Sequence, residues 1–178
     1  MNPILPDTRL PGGYTIEEVY GRLAPRVRDE IVGMWMAERV LAPAEAQRRV
    51  AEVVVIARAA DGELAGIATA YVAPLAGTDR PYWHYRTFVR PAHRGVWAIA
   101  PRMFDTAVAA LRAHDHPQGP LGIALVVENR ELMRPAMREE IAGAGLTLLG
   151  ADATGRDVWC MHFDGSVPDV PPGLRPRS

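Results

Sequence analysis

The spacing of apolar residues changes along this chain, and the changes outline its elements. Val27, Ile31, Met34, Trp35 and Val40 recur at helical spacing behind Pro25, which predicts an amphipathic helix over residues 25–40. Pro43 opens a shorter helix, rich in Ala and Arg, that runs to residue 50. The β-branched run Val53-Val54-Val55-Ile56 marks a buried strand over 52–59. Asp61-Gly62 then turns the chain, and residues 64–72 return as an antiparallel partner. Residues 82–89 alternate bulky side chains. Tyr82, His84, Arg86 and Phe88 fall on one face of this strand and Trp83, Tyr85, Thr87 and Val89 on the other.

After Arg90-Pro91 the chain passes through His93-Arg94-Gly95 and resumes as an Ala-rich helix beginning near 99–101, where Pro101 suits a first turn, and ending near 113. The open amides of that start, with Arg94 and Arg102 beside them, favour an anion such as a phosphate. Residues 121–127 read as a buried parallel strand. Residues 129–144 follow as a helix capped by Asn129, with Pro135 a kink or the true start. Residues 147–150 and 157–163 flank the turn at 153–155 as a closing hairpin. That hairpin offers an edge through which a second copy could pair, giving a homodimer. Residues 14–19 match neither period cleanly, a short strand or a turn of helix, and are read as a strand. Residues 1–13 read as a flexible Pro- and Gly-containing arm, and the Pro-rich 164–178 as a disordered tail. One domain over 14–163 is expected from 178 residues.

Composition narrows the chemistry. With 20 basic against 21 acidic residues and no block of one sign, nucleic acid is not expected as a partner. Every basic residue is Arg, which removes lysine catalysis. Ser occurs only at Ser166 and Ser178, so a Ser-His-Asp hydrolase lacks a core nucleophile. Cys160 is the one cysteine, which rules out an internal disulfide and a cysteine-rich metal site, and a cytoplasmic setting is the default. His114 and His116 sit in a Pro- and Gly-containing loop and read as solvated surface rather than metal ligands. No segment approaches the roughly 20 apolar residues that cross a bilayer, and the start of the chain resembles no secretion signal.

Val89-Arg90-Pro91, His93-Arg94-Gly95 and Ile99-Ala100 together resemble the V-x-P-x-x-R-G-x-G-I-G/A signature of the GNAT superfamily of N-acetyltransferases. The segment from Asn129 to Leu146 adds a second likeness. The resemblance implies an α/β (α+β) fold: one GNAT-like domain with a mixed sheet of six to seven strands and about four helices. It implies acetyl-CoA or another acyl-CoA as cosubstrate, no metal, and a small-molecule amine as acceptor. The implied cofactor contacts are Phe88, Val89, Arg94, Gly95, Val96, Trp97, Ala98, Ile99, Ala100, Arg102 and Asn129, with the backbone of Phe88 and Val89 meeting the thioester. Two departures stand out. Val96-Trp97 replaces small residues and needs one extra position, and Ile141 stands where many members carry a Tyr proposed to protonate the leaving thiolate.

Acyl transfer from a thioester to an amine needs a neutral amine, a donor to the carbonyl oxygen and a proton for the sulfur. His84, Tyr85 and Glu128 are the candidates for the base, and His84 is preferred because its ordinary pKa suits neutral pH. Cys160 and His162, two apart on a strand, do not form a dyad, and Cys160 reads as core. An acyl-CoA-dependent N-acyltransferase working by direct attack is the leading expectation. The alternative is a repurposed GNAT-fold protein that has lost ordinary acetyl-CoA binding and holds another ligand, a carrier-bound acyl group or a protein partner.

Overall fold

The computed structural model describes residues 9–177. Twelve strands and α-helices follow in chain order: β1 (Arg9–Leu10), β2 (Tyr14–Glu18), α1 (Pro25–Ala37), α2 (Pro43–Arg49), β3 (Val53–Arg58), β4 (Leu64–Pro74), β5 (Pro81–Val89), α3 (Ile99–Ala113), β6 (Gly122–Val126), α4 (Pro135–Gly143), β7 (Thr147–Ala151) and β8 (Asp157–His162). The sheet is mixed, in the order β1-β2-β3-β4-β5-β6-β8-β7. Its contacts divide the chain into two units. One holds the residues up to Thr69 together with Thr87–Ala110, the other Ala70–Arg86 and the residues from Leu111 on.

In the first unit β2, β3 and β4 run antiparallel, with Ile16 opposite Ala57 and Ile56 opposite Ile67. All four of Val53 to Ile56 are buried, as their β-branched run requires. Their core takes Ile31, Val32, Met34 and Trp35 from α1 and Ala46 from α2, with Phe88 packed against it. Met34 and Trp35 are therefore core, whereas Met36 is exposed. Helix α1 ends at Ala37, three residues before the sequence period fades, and Arg39 takes a left-handed conformation at φ 54°. The bond from the Val40 amide to the Trp35 carbonyl, 2.9 Å, closes that end.

In the second unit β5 and β6 pair in parallel, with His84 opposite Ala124, and β8 lies antiparallel between β6 and β7. Gly122 is required by this packing, because a Cβ there would sit 1.9 Å from the Met161 carbonyl oxygen. The helix expected over 129–144 is shorter. Asn129 caps a 3₁₀ turn over Arg130–Met133 by accepting from the Glu131 amide at 3.0 Å, and Pro135 starts α4. A proline contributes no helical amide, so the chain breaks before it.

Of the expected arm, residues 1–8 lie outside the described residues, and Arg9–Leu10 adds a two-residue strand to the sheet. The tail expected to be disordered is instead held. Ala151 and Arg175 exchange both backbone hydrogen bonds at 2.8 Å, and Pro168 and Pro171 are buried. It has no apolar period because short backbone and ionic contacts hold it, not an amphipathic face. It also covers the β7 edge at Ala151, where the hairpin was expected to offer pairing to a second copy.

Candidate active site

In the first unit the loop that the sequence reading expected to hold phosphate joins β5 to α3. A short 3₁₀ turn, Pro91–His93, leads through Arg94 and Gly95 to α3 at Ile99. The His93 ring fixes the entry. Its Nε2 donates to the Glu63 carboxylate at 3.1 Å, so in the neutral ring Nδ1 accepts from the Tyr14 hydroxyl at 2.9 Å. Arg90 pairs with Glu38 at 2.8 Å and with Glu63. The hydrogen bond from Arg90, then that from His93, holds the Glu63 carboxyl below its ordinary pKa.

Among the described backbone hydrogen bonds, those of the loop use the amides of His93, Arg94, Val96, Ile99 and Arg102. Val96 donates to the His93 carbonyl at 3.1 Å and Ile99 to the Val96 carbonyl at 3.2 Å. The amides of Gly95, Trp97, Ala98 and Ala100 take no part in these bonds. The Trp97 side chain is 82% exposed, so the bulky residue that departs from the family pattern points into solvent and does not fill the turn. Gly95 does not occupy the left-handed region, and a Cβ there would meet nothing within 4 Å. The protein's own packing therefore does not demand glycine at 95. The Arg94 side chain folds back: its Nε donates to the Val89 carbonyl at 3.0 Å and its guanidinium lies 5.9 Å from the Phe88 ring centroid. Gly66 lets Met103 of α3 approach β4 beside the Phe88 carbonyl, which ties the helix to the strand end.

In the second unit His84 is half-buried and stacks on Tyr71, centroids 5.1 Å apart, while the Arg86 guanidinium lies 4.5 Å from the same Tyr71 ring. His84 Nε2 lies 3.2 Å from the Ala73 carbonyl. A carbonyl only accepts, so Nε2 carries the hydrogen and Nδ1 keeps the lone pair. Burial lowers the His84 pKa from its ordinary value against the opposing carbonyl contacts of Ala73 and Pro74, and the Arg86 charge adds to the lowering. The ring is thus held neutral, with one basic nitrogen, at pH 7.

The other two candidates for the base are placed differently. Tyr85 is buried at 3% exposure on the face opposite His84. Glu128 lies four residues beyond Ala124, the strand partner of His84, on the order of 10 Å further along. It is exposed, with Arg156 at 3.6 Å. Asn129 uses its side chain as the cap already described.

One cluster was not foreseen. The Tyr82 hydroxyl lies 2.8 Å from His162 Nε2, His162 Nδ1 lies 2.7 Å from Ser166 Oγ, and Ser166 Oγ donates to Asp164 at 2.7 Å. Because the Ser166 proton goes to Asp164, His162 Nδ1 must donate to Oγ and cannot act as its base. The arrangement therefore makes no serine nucleophile. Cys160 is fully buried beside Tyr82, and burial pushes its thiol up to about 12, as a core residue requires. His114 and His116 pack edge-on to Trp83 at 6.0 and 5.0 Å. Among the described residues no group of three or more His, Cys, Asp or Glu is placed to hold a metal ion, and no helix is long and apolar enough to cross a membrane.

No protein-family model matches the sequence, and no curated protein matches it. Solved structures do match the fold. A GNAT superfamily phosphinothricin acetyltransferase from Sinorhizobium meliloti, in complex with acetyl-CoA, is similar over 93% of this chain and 99% of its own, at 17% identity and a TM-score of 0.64. The fold is that of the GNAT acetyltransferases. A GNAT family acetyltransferase from Brucella melitensis, also in complex with acetyl-CoA, covers 94% of this chain and 97% of its own at 18% identity and a TM-score of 0.54. An acetyltransferase of the GNAT family from Streptococcus pneumoniae covers 84% of this chain and 99% of its own at 12% identity and a TM-score of 0.56. Within this GNAT fold, β5 and the loop after it stand where the sequence resemblance put them, before α3.

Proposed function

We propose that the protein is an acyl-CoA-dependent N-acyltransferase, with acetyl-CoA as the expected cosubstrate and a small-molecule amine as acceptor. The observation that carries this reading is the turn before α3. Its bulky Trp97 is turned out into solvent, and it keeps a glycine at 95 that no neighbouring atom requires. A glycine that the surrounding packing does not require leaves the backbone open to close approach by a ligand. Two of the GNAT structures of like fold were solved with acetyl-CoA, and one is named for a small molecule, phosphinothricin.

In this reading the Phe88 and Val89 backbone and residues 94–102 bind the cosubstrate. His84 Nδ1 takes the proton that leaves the amine as the new N–C bond forms and the C–S bond breaks. The departing sulfur gains a proton from a donor other than Ile141, whose side chain has none. The Arg94 side chain, engaged with Val89, favours a second reading, in which the fold holds a ligand other than acetyl-CoA.

Gly95→Ala separates the two. If acyl-CoA lies against residue 95, the variant keeps its melting temperature within a few degrees, since nothing crowds the new methyl, and binds acetyl-CoA at least tenfold more weakly. Turnover is read as thiol release from acetyl-CoA with a panel of small amines. An unchanged affinity in Gly95→Ala, or no amine-dependent thiol release by the parent protein, would count against the proposal.

A further inference from the structure

The second unit contains a cavity of about 640 Å3 that the acyl-transfer reading does not use. Arg130, Arg138, Arg156 and Arg177 line it, with Glu128, Met133, Thr154 and Gly155. The four arginines come from separate segments: the turn after β6, helix α4, the β7–β8 turn and the C-terminal segment. The chain carries a net charge of −1, so this concentration of one sign is local.

The charges inside the cavity do not balance. Asp157 is fully buried and is shared by two arginines. Arg138 grips it with Nε at 2.8 Å and Nη2 at 3.1 Å, and Arg177 Nε reaches it at 3.0 Å. Arg177 also donates to the Gly155 carbonyl. Arg156 binds Asp152 through Nε and Nη2, both at 2.8 Å, and its Nη1 stands 3.6 Å from Glu128, too far for a hydrogen bond. Burial would raise the Asp152 carboxyl, but the hydrogen bonds from Thr154 and Arg156 outweigh it and hold that carboxyl ionised. Among the described residues nothing pairs with the Arg130 guanidinium. Four guanidiniums therefore face three carboxylates, and the Nη1 groups of Arg138 and Arg177 take no part in the bonds named here.

We propose that this cavity binds a phosphate group, held by Arg130 together with the Nη1 groups of Arg138, Arg156 and Arg177. A planar carboxylate is matched by one guanidinium fork, whereas donors arriving from four segments suit the oxygens of a tetrahedral oxyanion. The group is inorganic phosphate or the phosphate of a monoester. The site rests on second-unit residues alone and stands or falls separately from acyl transfer.

Calorimetric titration of the full chain with inorganic phosphate at low salt tests this. Saturable binding of one phosphate per chain is expected, with no saturation by acetate over the same range. Arg130→Ala should weaken binding about tenfold, or ~1.4 kcal/mol. Glu128→Gln should tighten it, because a carboxylate that opposes the anion is removed. Neither side chain is buried, so both variants fold even if Arg138→Ala does not. Arg26→Ala, at the separate notch lined by Arg26, Glu30 and Arg58, should bind as the parent does. Tighter binding of glycerol 3-phosphate assigns the site to a phosphate ester, and tighter binding of inorganic phosphate assigns it to the free ion; either upholds the site. No saturable phosphate binding, equal binding of acetate, an unchanged Arg130→Ala, or an equal loss in Arg26→Ala would overturn it.

Discussion

Arg138→Ala is expected to lower stability by about 3 kcal/mol and the melting temperature by roughly 6–12 °C. Asp157 has no solvent to turn to, and Arg138 supplies two of its three side-chain ion-pair contacts. Removing a partner from a buried pair leaves an uncompensated charge, and that penalty exceeds the net worth of the pair itself. Arg177 remains, which keeps the loss near the lower end of the usual 3–5 kcal/mol range. Because Asp157 opens β8 and pairs with Ala151, the damage should centre on the β7–β8 hairpin and on the segment held at Arg175. Thermal unfolding followed by circular dichroism reads the shift. A change under about 1 kcal/mol would place this pair among ordinary surface ion pairs.

His84→Ala is expected to lower kcat/KM for acyl transfer by a factor on the order of 10²–10³, with stability changed far less. The argument runs from tautomer to pH. The Ala73 carbonyl fixes the hydrogen on Nε2, so the basic nitrogen is Nδ1, and burial moves the pKa below the ordinary histidine value. A base with a lowered pKa stays unprotonated as pH falls through 6.5, and activity is lost only below the lowered value. The acidic limb of kcat/KM should therefore lie below pH 6.5 in the parent protein and vanish in His84→Ala. The same sign applies to folding: the contribution of His84 is fully present above the unfolded pKa and declines as pH falls. A parent-like profile in His84→Ala would move attention to Glu128, which lies just beyond the end of β6.

Much of this architecture was legible in the sequence because it is written in local pattern. The β-branched run at 53–56, the prolines at 25, 43 and 101 and the turn at Asp61-Gly62 each act within a few residues. They mark the helices and the hairpin correctly. What escaped was set by distant partners. Arg138 and Asp157 are 19 residues apart, and Tyr82 and His162 are 80 apart, with no period linking them. The C-terminal segment looked disordered because its anchors are one backbone bridge, two buried prolines and Arg177, none of which gives a hydrophobic repeat. At the candidate site, the loop's position and glycine were readable. Two decisive features were not: that Trp97 points away and that His84 is held in one tautomer. Both depend on packing rather than composition.

Titrating the full chain with acetyl-CoA by calorimetry tests the central claim most directly. One saturable site per chain is predicted, weakened about tenfold in Arg94→Ala, or ~1.4 kcal/mol. No affinity for CoA or any of its acyl thioesters would contradict it.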